Sequence, residues 1–563
     1  MRLLRLYKKM IFTKKTFSLI LLTFVIFGII VYSNIINSFF LSDDFYLLDD
    51  IDKNGFFGVW TSSPGGFFRP LISLSLLIDY KVWGFKPIGY HLTNIFFHSL
   101  NSFLVFLISF LLLKKTQLLK QRIRILSLCA GFIFLLHPCH TEAVSWISGR
   151  TDIFSTLFCL ASFSTYLFYK EYSKVSSLLI SFPLFLVALF AKESVIIFPL
   201  VILAYESYGA IIQKDNNHKL IRILFLPSIY CIFLVVYLFI RNSAIGTFFG
   251  GYGNNVHTDF DVLKISIKLI LYFIKILFPY TVIKIFIPNP NIIPALKNFL
   301  MRMRSIFIVV IPVLFLVILI VVNYARKYLQ KKYYRKIPHI FYFLLIVLIV
   351  LLLPVINLGF SIVDSEGERF IYLPSVFFSI LIVTFLDFIV RNIKYFMVSS
   401  VCILMFYGIS LYWINHNWKI AGEISNSVLL SIKTLGKADR LVIINLPDNI
   451  KGAFIYRNGI REAIRLFGAA DQFQHVTIVS HNTLYEKDDG VGIEKRGESY
   501  FVRLLNPKTY FMYEYIKINA NLTDESFKLE KSTNSSYFLT LRSISCNDKI
   551  VYYSIGRMLS VNF

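Results

Sequence analysis

Residues 17–36 read FSLILLTFVIFGIIVYSNII, and they follow a basic stretch, residues 1–15. The run is about as long as the roughly 20 apolar residues that a helix needs to cross a bilayer. It is longer than the core of about 7–15 residues in a secretion signal, and no small-residue cleavage site follows it. We therefore expect a retained first membrane span rather than a cleaved signal peptide.

The composition agrees with a membrane protein. Of the 563 residues, 56% are hydrophobic and 16% are charged, and the mean hydropathy is +0.65. A soluble domain has about 45–50% apolar and about 25% charged residues, so a water-soluble globule is excluded. The formal net charge of +25 does not indicate a nucleic-acid partner, because cytoplasmic loops of membrane proteins hold Lys and Arg for topological reasons. The six cysteines form no CxxC motif and are expected to be buried thiols.

Apolar runs of about the required length recur between charged loops. They are residues 16–39, 89–113, 124–138, 152–169, 175–191, 194–212, 222–240, 262–283, 304–324, 338–357, 372–390 and 395–414. If the basic loops lie in the cytoplasm, the spans counted from the N-terminus and those counted back from the C-terminal part disagree by one crossing. One of the runs therefore does not span the membrane. We assign this to residues 262–283, because Lys264, Lys268 and Lys275 share one helix face, as in an amphipathic helix at the outer interface. A re-entrant segment elsewhere is the alternative, and the prediction is about eleven spans.

The predicted fold class is an all-α polytopic membrane protein with a small C-terminal α/β outer domain. Residues 1–15 form the cytoplasmic N-terminus, residues 16–414 the membrane domain with its first outer loop at 41–88, and residues 415–563 the extracytoplasmic domain. In the last of these, residues 441–446 and 476–480 are predicted strands and residues 460–467 a short helix. Residues 537–541 and 550–553 alternate as hairpin strands do.

The outer ends of the helices carry ionisable residues, which are costly near a membrane and therefore mark a functional cavity or a pairing network. Asp43 and Asp44 are adjacent at the end of the first span. Like charges so close raise the pKa of one acid unless a cation or an acceptor compensates. Such a carboxylate could accept a proton from a hydroxyl group or hold a metal. For the later acids, Asp49, Asp50 and Asp52, a solvated acidic loop is the favoured interpretation.

Further polar residues fall on the same predicted face. They are Arg69, Lys86, His91, His137, His140, Glu142, Arg150, Asp152, Lys192, Glu193, Glu368, Arg369 and Tyr372. A cation such as Arg69 could bind a phosphate oxygen or anchor the chain at the interface. The simplest partners for Arg150 and Asp152 are each other or a polar ligand. Each of the adjacent pairs 192–193 and 368–369 could form a local ion pair.

A divalent metal is an alternative at two of these positions. His137 and His140 are three residues apart and precede Glu142, and together with Asp44 they could ligate an ion. Pro138 breaks helical regularity there, so hydrogen bonding to neighbouring groups is the favoured role of each histidine.

Six motifs in this order resemble the membrane part of the transmembrane and tetratricopeptide-repeat O-mannosyltransferases. They are Asp43-Asp44, FRP at 68–70, GYHLTN at 89–94, HPCHTEAVSWISGRTD at 137–152, Lys192-Glu193 and ERFIYLPS at 368–375. That family is similar in turn to protein O-mannosyltransferases and to the lipid A aminoarabinose transferase, within the C superfamily of membrane glycosyltransferases (GT-C). The resemblance covers residues 16–414, and the run 137–152 is its most specific part. After Trp418 the chain departs from the family, because tetratricopeptide repeats are missing from the sequence.

The resemblance implies a GT-C fold, a polyprenyl-phosphate-linked sugar as donor, and inversion at the anomeric carbon. It implies that Asp43 is the general base for the acceptor hydroxyl and that Asp44 supports it. The cations implied to neutralise the donor phosphate are Arg69, Lys86, Arg150 and Arg369. The other polar residues above would line the substrate or support these groups.

The sequence therefore predicts a glycosyltransferase that acts at the outer face on a protein, lipid or glycan acceptor. The resemblance implies mannose, but the missing repeats leave sugar and acceptor open. The alternative is a transporter or flippase of lipid-linked glycans, and a third reading is a scaffold without activity. A transporter often has repeated halves, which this sequence lacks. Membrane lipids and the lipid-linked donor are the expected partners, and the Phe-, Ile-, Lys- and Asn-rich composition favours a bacterial inner membrane.

Overall fold

The computed structural model describes residues 14–60, 66–116, 118–213, 220–248, 262–286, 337–468, 472–512, 527–542, 545 and 547–561. The helices are α1 (Lys14–Val31), α2 (Asp43–Gly58), α3 (Pro70–Trp83), α4 (Pro87–Leu113), α5 (Lys120–Leu135), α6 (Thr141–Ser145), α7 (Arg150–Tyr172), α8 (Val175–Leu189), α9 (Phe198–Gln213), α10 (Leu220–Ile245), α11 (Val262–Leu277), α12 (Tyr280–Phe286), α13 (Ile337–Leu352), α14 (Tyr372–Ile389), α15 (Ile393–Lys433) and α16 (Ile460–Phe467). The strands are β1 (Ala438–Ile443), β2 (Leu446–Ile450), β3 (Ala453–Phe454), β4 (Phe473–Ile478), β5 (His481–Leu484), β6 (Val491–Arg496), β7 (Ser499–Leu504), β8 (Phe527–Thr533), β9 (Ser536–Leu541), β10 (Lys549–Ser554) and β11 (Arg557–Ser560).

The predicted polytopic helical fold is confirmed. Within the described residues, six helices are long and apolar enough to cross a membrane, and α5 with the bent segment Pro138–Ser145 could form a seventh. Three shorter apolar helices accompany them, Lys15–Val31, Val175–Leu189 and His339–Val355. The predicted run at 304–324 lies outside the described residues. The count of about eleven spans therefore stays a prediction.

Helix α4 packs against α1, α5 and α7. Small residues make these contacts close, as is common between membrane helices. A Cβ atom at Gly28 of α1 would lie 2.3 Å from the hydroxyl of Ser99 in α4, and one at Gly131 of α5 would lie 2.5 Å from the ring of Phe24. The two glycines therefore bring the helices together at distances that no larger residue allows.

Helix α15 connects the bundle to the C-terminal strands. Its 41 residues extend about 60 Å, roughly twice the thickness of a hydrocarbon core. Large apolar residues near its start, such as Val398 and Met405, are exposed, whereas Trp418 and Ile424 further on are buried. The helix continues without a break across position 415, where the outer domain is predicted to begin.

Within the described residues, the C-terminal part of the chain forms three sheets. Parallel strands β10, β1 and β4 form one with β11 antiparallel at its edge, β3, β2 and β5 form a second, and β6, β7, β9 and β8 form an antiparallel third. The predicted helix at 460–467 and the hairpins are confirmed. The predicted strand 441–446 is instead divided between β1 and β2. Between them, the amide of Asn445 bonds to Asn482 and to both backbone groups of Tyr553, which ties the first two sheets together.

The lysines of residues 262–283 share a face, as predicted, and that face contacts protein. Lys268 donates to the side chain of Asn357 at 3.2 Å. Lys275 is buried and donates to the carbonyl oxygens of Ser361 and Asp364. Helix α11 therefore packs its basic side against the segment before α14. The predicted position of α11 at the membrane interface stays a prediction.

Candidate active site

The two adjacent acids begin helix α2, where a carboxylate is favoured by the unpaired N–H groups and the helix dipole. Ser42, just before them, has φ +46° and ψ −116°, which is unusual for a residue other than glycine. Such a conformation persists only where the surroundings hold it, and it is common at functional sites. The N–H of Ser42 donates to the carbonyl oxygen of Ile455 at 2.8 Å, so the C-terminal domain is what holds it.

Asp44 is buried, with 2% of its surface exposed. One carboxylate oxygen accepts from the backbone N–H and the hydroxyl of Ser148, at 2.8 and 2.5 Å. The other accepts from the N–H of Leu41 at 2.9 Å. Burial raises the pKa of Asp44 to about 7, although these hydrogen bonds oppose the shift. Near neutral pH, Asp44 is therefore partly protonated, and its repulsion of Asp43 is reduced.

Asp43 differs from its neighbour in being only half-buried. One of its oxygens accepts from the amide nitrogen of Asn458 at 2.8 Å. The pair is thus unequal: Asp44 is enclosed by protein groups, whereas Asp43 retains access to solvent. Of the two, Asp43 is the one that a substrate hydroxyl could reach.

Two of the later acids of α2, Asp49 and Asp52, hold the C-terminal domain. Asp49 is buried and bonds to Arg465 of α16 and to Lys53. The interpretation of Asp49 as part of a solvated loop is therefore wrong. Asp52 is exposed, and its pKa is lowered because the hydroxyl of Tyr80 and the guanidinium of Arg465 donate to it.

Arg150 is fully buried, and its partner is not Asp152. Its guanidinium forms a salt bridge of 2.7 Å with Asp79 of α3. It also donates to the side-chain oxygens of Asn94 and Ser75 and to the carbonyl oxygen of Tyr90, at 3.1–3.3 Å. The expected pairing of residues 150 and 152 is wrong, because side chains two apart on a helix point in different directions.

The expected local pair of residues 192 and 193 is also wrong. Lys192 is buried and contacts Asp152 at 2.5 Å. Glu193 accepts from Arg69 at 2.8 and 3.2 Å and lies 3.5 Å from Arg241. These contacts join segments far apart in the sequence. They fix the turn between α8 and α9 against α3, α7 and α10.

The same separation occurs at residues 368 and 369. Glu368 is buried with Lys275, at 3.3 Å. The guanidinium of Arg369 lies 3.6 Å from Glu142, and its backbone N–H donates to the same carboxylate at 2.9 Å. The side chain of Arg369 is 24% exposed. Each member of the expected local ion pair therefore has its own distant partner.

Trp146 connects this region to the acidic pair. The guanidinium of Arg369 lies over its indole ring, 4.9 Å from the ring centroid. The indole N–H donates to the carbonyl oxygen of Leu41 at 3.2 Å, two residues before Asp43. The buried side chain of Trp146 thus contacts both the partly exposed Arg369 and the backbone that leads into the acidic pair.

The three predicted site histidines, His91, His137 and His140, are buried, and each contacts a protein group through a ring nitrogen. For His137, Nδ1 accepts from the N–H of Cys139, and Nε2 lies 2.9 Å from the carbonyl oxygen of Ile276, to which it must donate. That ring therefore has no nitrogen left for a metal. Nε2 of His140 contacts the hydroxyl of Ser375 at 2.7 Å, and Nε2 of His91 contacts the carbonyl oxygen of Ser38 at 3.0 Å.

The metal alternative gains no support in the part of the chain that the structure describes, since it contains no group of three His, Cys, Asp or Glu residues suited to an ion.

Two further predicted site residues lie outside these clusters of buried charges. Tyr372 bonds to His98, at 2.7 Å, and to the amide of Asn101. Lys86 lies apart from the buried pairs, exposed at the start of α4.

Several of these residues escaped the sequence prediction. Asp79 and His98 lie within apolar helices, where an ionisable side chain is itself a signal. Lys275 was placed on the correct face but without a partner. Asn458 is not among the predicted site residues, because its partner Asp43 lies 415 positions away in the sequence.

Ion pairs also occur at the other end of the bundle. Lys114 pairs with Glu171, and Arg122 pairs with Asp387. Pairing alone therefore does not distinguish the candidate site. Its distinguishing feature is the half-buried Asp43 beside the buried Asp44.

Comparison with known proteins yields no matching family model. Similar proteins include protein O-mannosyl-transferase Tmtc1 of Drosophila melanogaster, 33% identical over 151 residues, which are 26% of this chain and 17% of the relative. The protein O-mannosyl-transferases TMTC3 of Mus musculus and tmtc2 of Xenopus laevis are 31% and 32% identical over 121 and 156 residues, covering 21% and 25% of this chain and 12% and 18% of the relatives. The chain thus matches less than a fifth of the length of each relative. These matches confirm the resemblance of the motifs: over about a quarter of its length, the chain is similar to protein O-mannosyl-transferases.

Proposed function

We propose that the protein is a glycosyltransferase that moves a sugar from a polyprenyl-phosphate-linked donor to a hydroxyl group of a protein on the extracytoplasmic face. The names of the relatives support mannose and a protein acceptor. The observation that carries the proposal is the inequality of the two acids, in which Asp44 is enclosed and Asp43 is accessible. A general base has to be within reach of the hydroxyl that it deprotonates.

In the proposed reaction, Asp43 accepts the proton of the acceptor hydroxyl as that oxygen attacks the anomeric carbon. The bond between this carbon and the phosphate oxygen breaks, and polyprenyl phosphate leaves with the electron pair. Attack from the face opposite the phosphate inverts the anomeric configuration. Asp44 keeps the first turn of α2 in place through Leu41 and Ser148.

A leaving phosphate needs positive charge where its own charge develops. Arg369 is the best candidate, because it is partly exposed and joined to the acidic pair through Trp146. Arg69, 14% exposed, and the exposed Lys86 are further candidates. Arg150 fits a supporting role better, since it is fully buried and occupied by α3 and α4.

The test uses membranes that contain the full chain and labelled mannosyl polyprenyl phosphate. We expect Asp43→Asn to lower transfer to protein by about 100-fold or more, in the range for a lost general base. Asp50→Asn is the matched control, because Asp50 lies on the same helix and bonds only locally to Asn54; it should stay within about twofold of the parent. Parent-like transfer by Asp43→Asn would refute the assignment. Movement of the donor across the membrane without any transfer would indicate a flippase instead.

A further inference from the structure

Residues 447–459 of the C-terminal domain contain most of β2, all of β3 and the turn before α16. This segment, here called the domain loop, contacts the start of α2 directly. The carbonyl oxygen of Ile455 accepts from the N–H of Ser42, and the N–H of Asn458 donates to the Ser42 hydroxyl at 3.3 Å. Gly459 has φ +84°, and a Cβ atom there would lie 2.5 Å from the carbonyl oxygen of Ser42. The ring of Tyr456 stacks on Phe45 at 5.6 Å. The domain loop thus encloses the residue that precedes the acidic pair.

The domain loop also reaches the acidic pair itself. The side-chain nitrogen of Asn458 donates to Asp43 at 2.8 Å. An amide N–H stabilises a carboxylate without neutralising its charge, as Lys or Arg would do. The other oxygen of Asp43 can therefore still accept a proton. The reverse amide orientation would place two oxygens against each other, which fixes the orientation of Asn458.

The domain loop is also fixed to the segment that carries the cation. Arg457 bonds to Asp448 and to Glu366, at 2.8 and 2.6 Å. Ser365 donates to the carbonyl oxygen of Lys451 at 3.3 Å. Glu366 is three residues before the partly exposed Arg369. One loop therefore holds both the side of the site with the acid and the side with the cation.

We infer that Asn458 is a positioning residue for Asp43, so that the C-terminal domain completes the catalytic centre. This inference rests on the proposed function. The geometry that carries it is the set of bonds from one loop to Ser42, Asp43 and Glu366. Asn458 acts through Asp43, and the charge of the pair is carried by the two acids themselves.

The experiment compares the parent with Asn458→Leu and Asn458→Gln in the full chain. Asn506→Leu is the matched control, because Asn506 also donates to an aspartate, Asp489, at 2.8 Å in the same domain. We expect Asn458→Leu to lower kcat for mannosyl transfer about 10-fold or more, with the donor KM within about twofold. Asn458→Gln should recover part of kcat, and Asn506→Leu should match the parent.

A second measurement does not depend on transfer. A carbodiimide reacts with accessible carboxyl groups, and mass spectrometry can quantify its adduct at Asp43 in membranes. We expect the adduct to increase about threefold or more in Asn458→Leu, because the carboxyl group is no longer held by the amide, and to stay unchanged in Asn506→Leu. A parent-like adduct in Asn458→Leu overturns the inference, as does a fall in kcat that follows the amount of folded protein and is not recovered in Asn458→Gln. If the parent transfers no mannose, the proposed function fails, and the adduct alone decides whether Asn458 holds Asp43.

Discussion

The buried pair of Arg150 and Asp79 allows a test that separates support from substrate binding. Arg150→Met removes a guanidinium that bonds to four groups, and it leaves the Asp79 carboxylate buried without its cation, with the Thr93 hydroxyl still donating to it at 2.8 Å. Removing one member of a buried ion pair costs about 3–5 kcal/mol. The side-chain oxygen of Asn94 also loses a donor, which adds about 1 kcal/mol or more. We therefore expect a loss of at least about 3 kcal/mol in the free energy of unfolding.

The assay is the temperature of half-denaturation in detergent, followed by size-exclusion chromatography with fluorescence detection. It compares the parent, Arg150→Met, Asp79→Leu and the double variant. Replacing both charges by apolar side chains of similar volume is often nearly neutral. The double variant should therefore regain most of the temperature that either single variant loses. Arg461→Met, which removes an exposed arginine from α16, is the control and should change little.

One result would refute this reasoning. If Arg150→Met denatured at the temperature of the parent and yet lost binding of mannosyl polyprenyl phosphate, Arg150 would be a phosphate ligand, as the resemblance implies. A double variant no more stable than Arg150→Met would also contradict the interpretation, because the cost would then not arise from the stranded Asp79.

Three further predictions concern stability. The folded-state pKa of Asp44, about 7, lies above its ordinary value of 3.8, so its stabilising contribution is complete below about pH 4 and is lost as the pH rises to about 7; half-denaturation temperatures should fall between about pH 4 and 7 in the parent and fall less in Asp44→Asn. Gly459→Ala should cost more than about 1 kcal/mol, because φ is +84° and a Cβ would meet a backbone oxygen at 2.5 Å, whereas Gly408→Ala in open space should cost nothing; urea denaturation checks both, and equal effects would contradict the strain argument. Lys275→Met should lower the half-denaturation temperature by several degrees, since Glu368 is then buried without its cation, and adding Glu368→Gln should restore part of it; no recovery would speak against the pair.

The sequence predicts the positions of helices better than it predicts which side chains form ion pairs. Apolar runs and the helix at 460–467 follow from local composition, which is why their counterparts are found in the structure. The pairs of Arg150 with Asp79 and Lys192 with Asp152 depend on which helices become neighbours. Local spacing does not contain that information, so the sequence predicts ion pairs between neighbouring opposite charges instead.

The acidic pair was identified from sequence, but the difference between its members was not. Burial of Asp44 depends on Ser148, and the environment of Asp43 depends on Asn458. Both partners reach the pair from other parts of the chain. Asp79 is the site residue that the sequence could have indicated, since a carboxylate within the apolar stretch of α3 is a signal by itself.

The bond between Asn458 and Asp43 joins residues 415 positions apart. At about 5–20 residues per second, ribosomes need roughly 20–80 s to make the intervening chain. During that time Ser42 lacks the loop that holds its unusual conformation, and Asp43 lacks its amide donor. Asp43 is thus synthesised 415 positions before the residue that donates to it, so in a nascent chain its carboxylate lacks its final surroundings until Asn458 has been made.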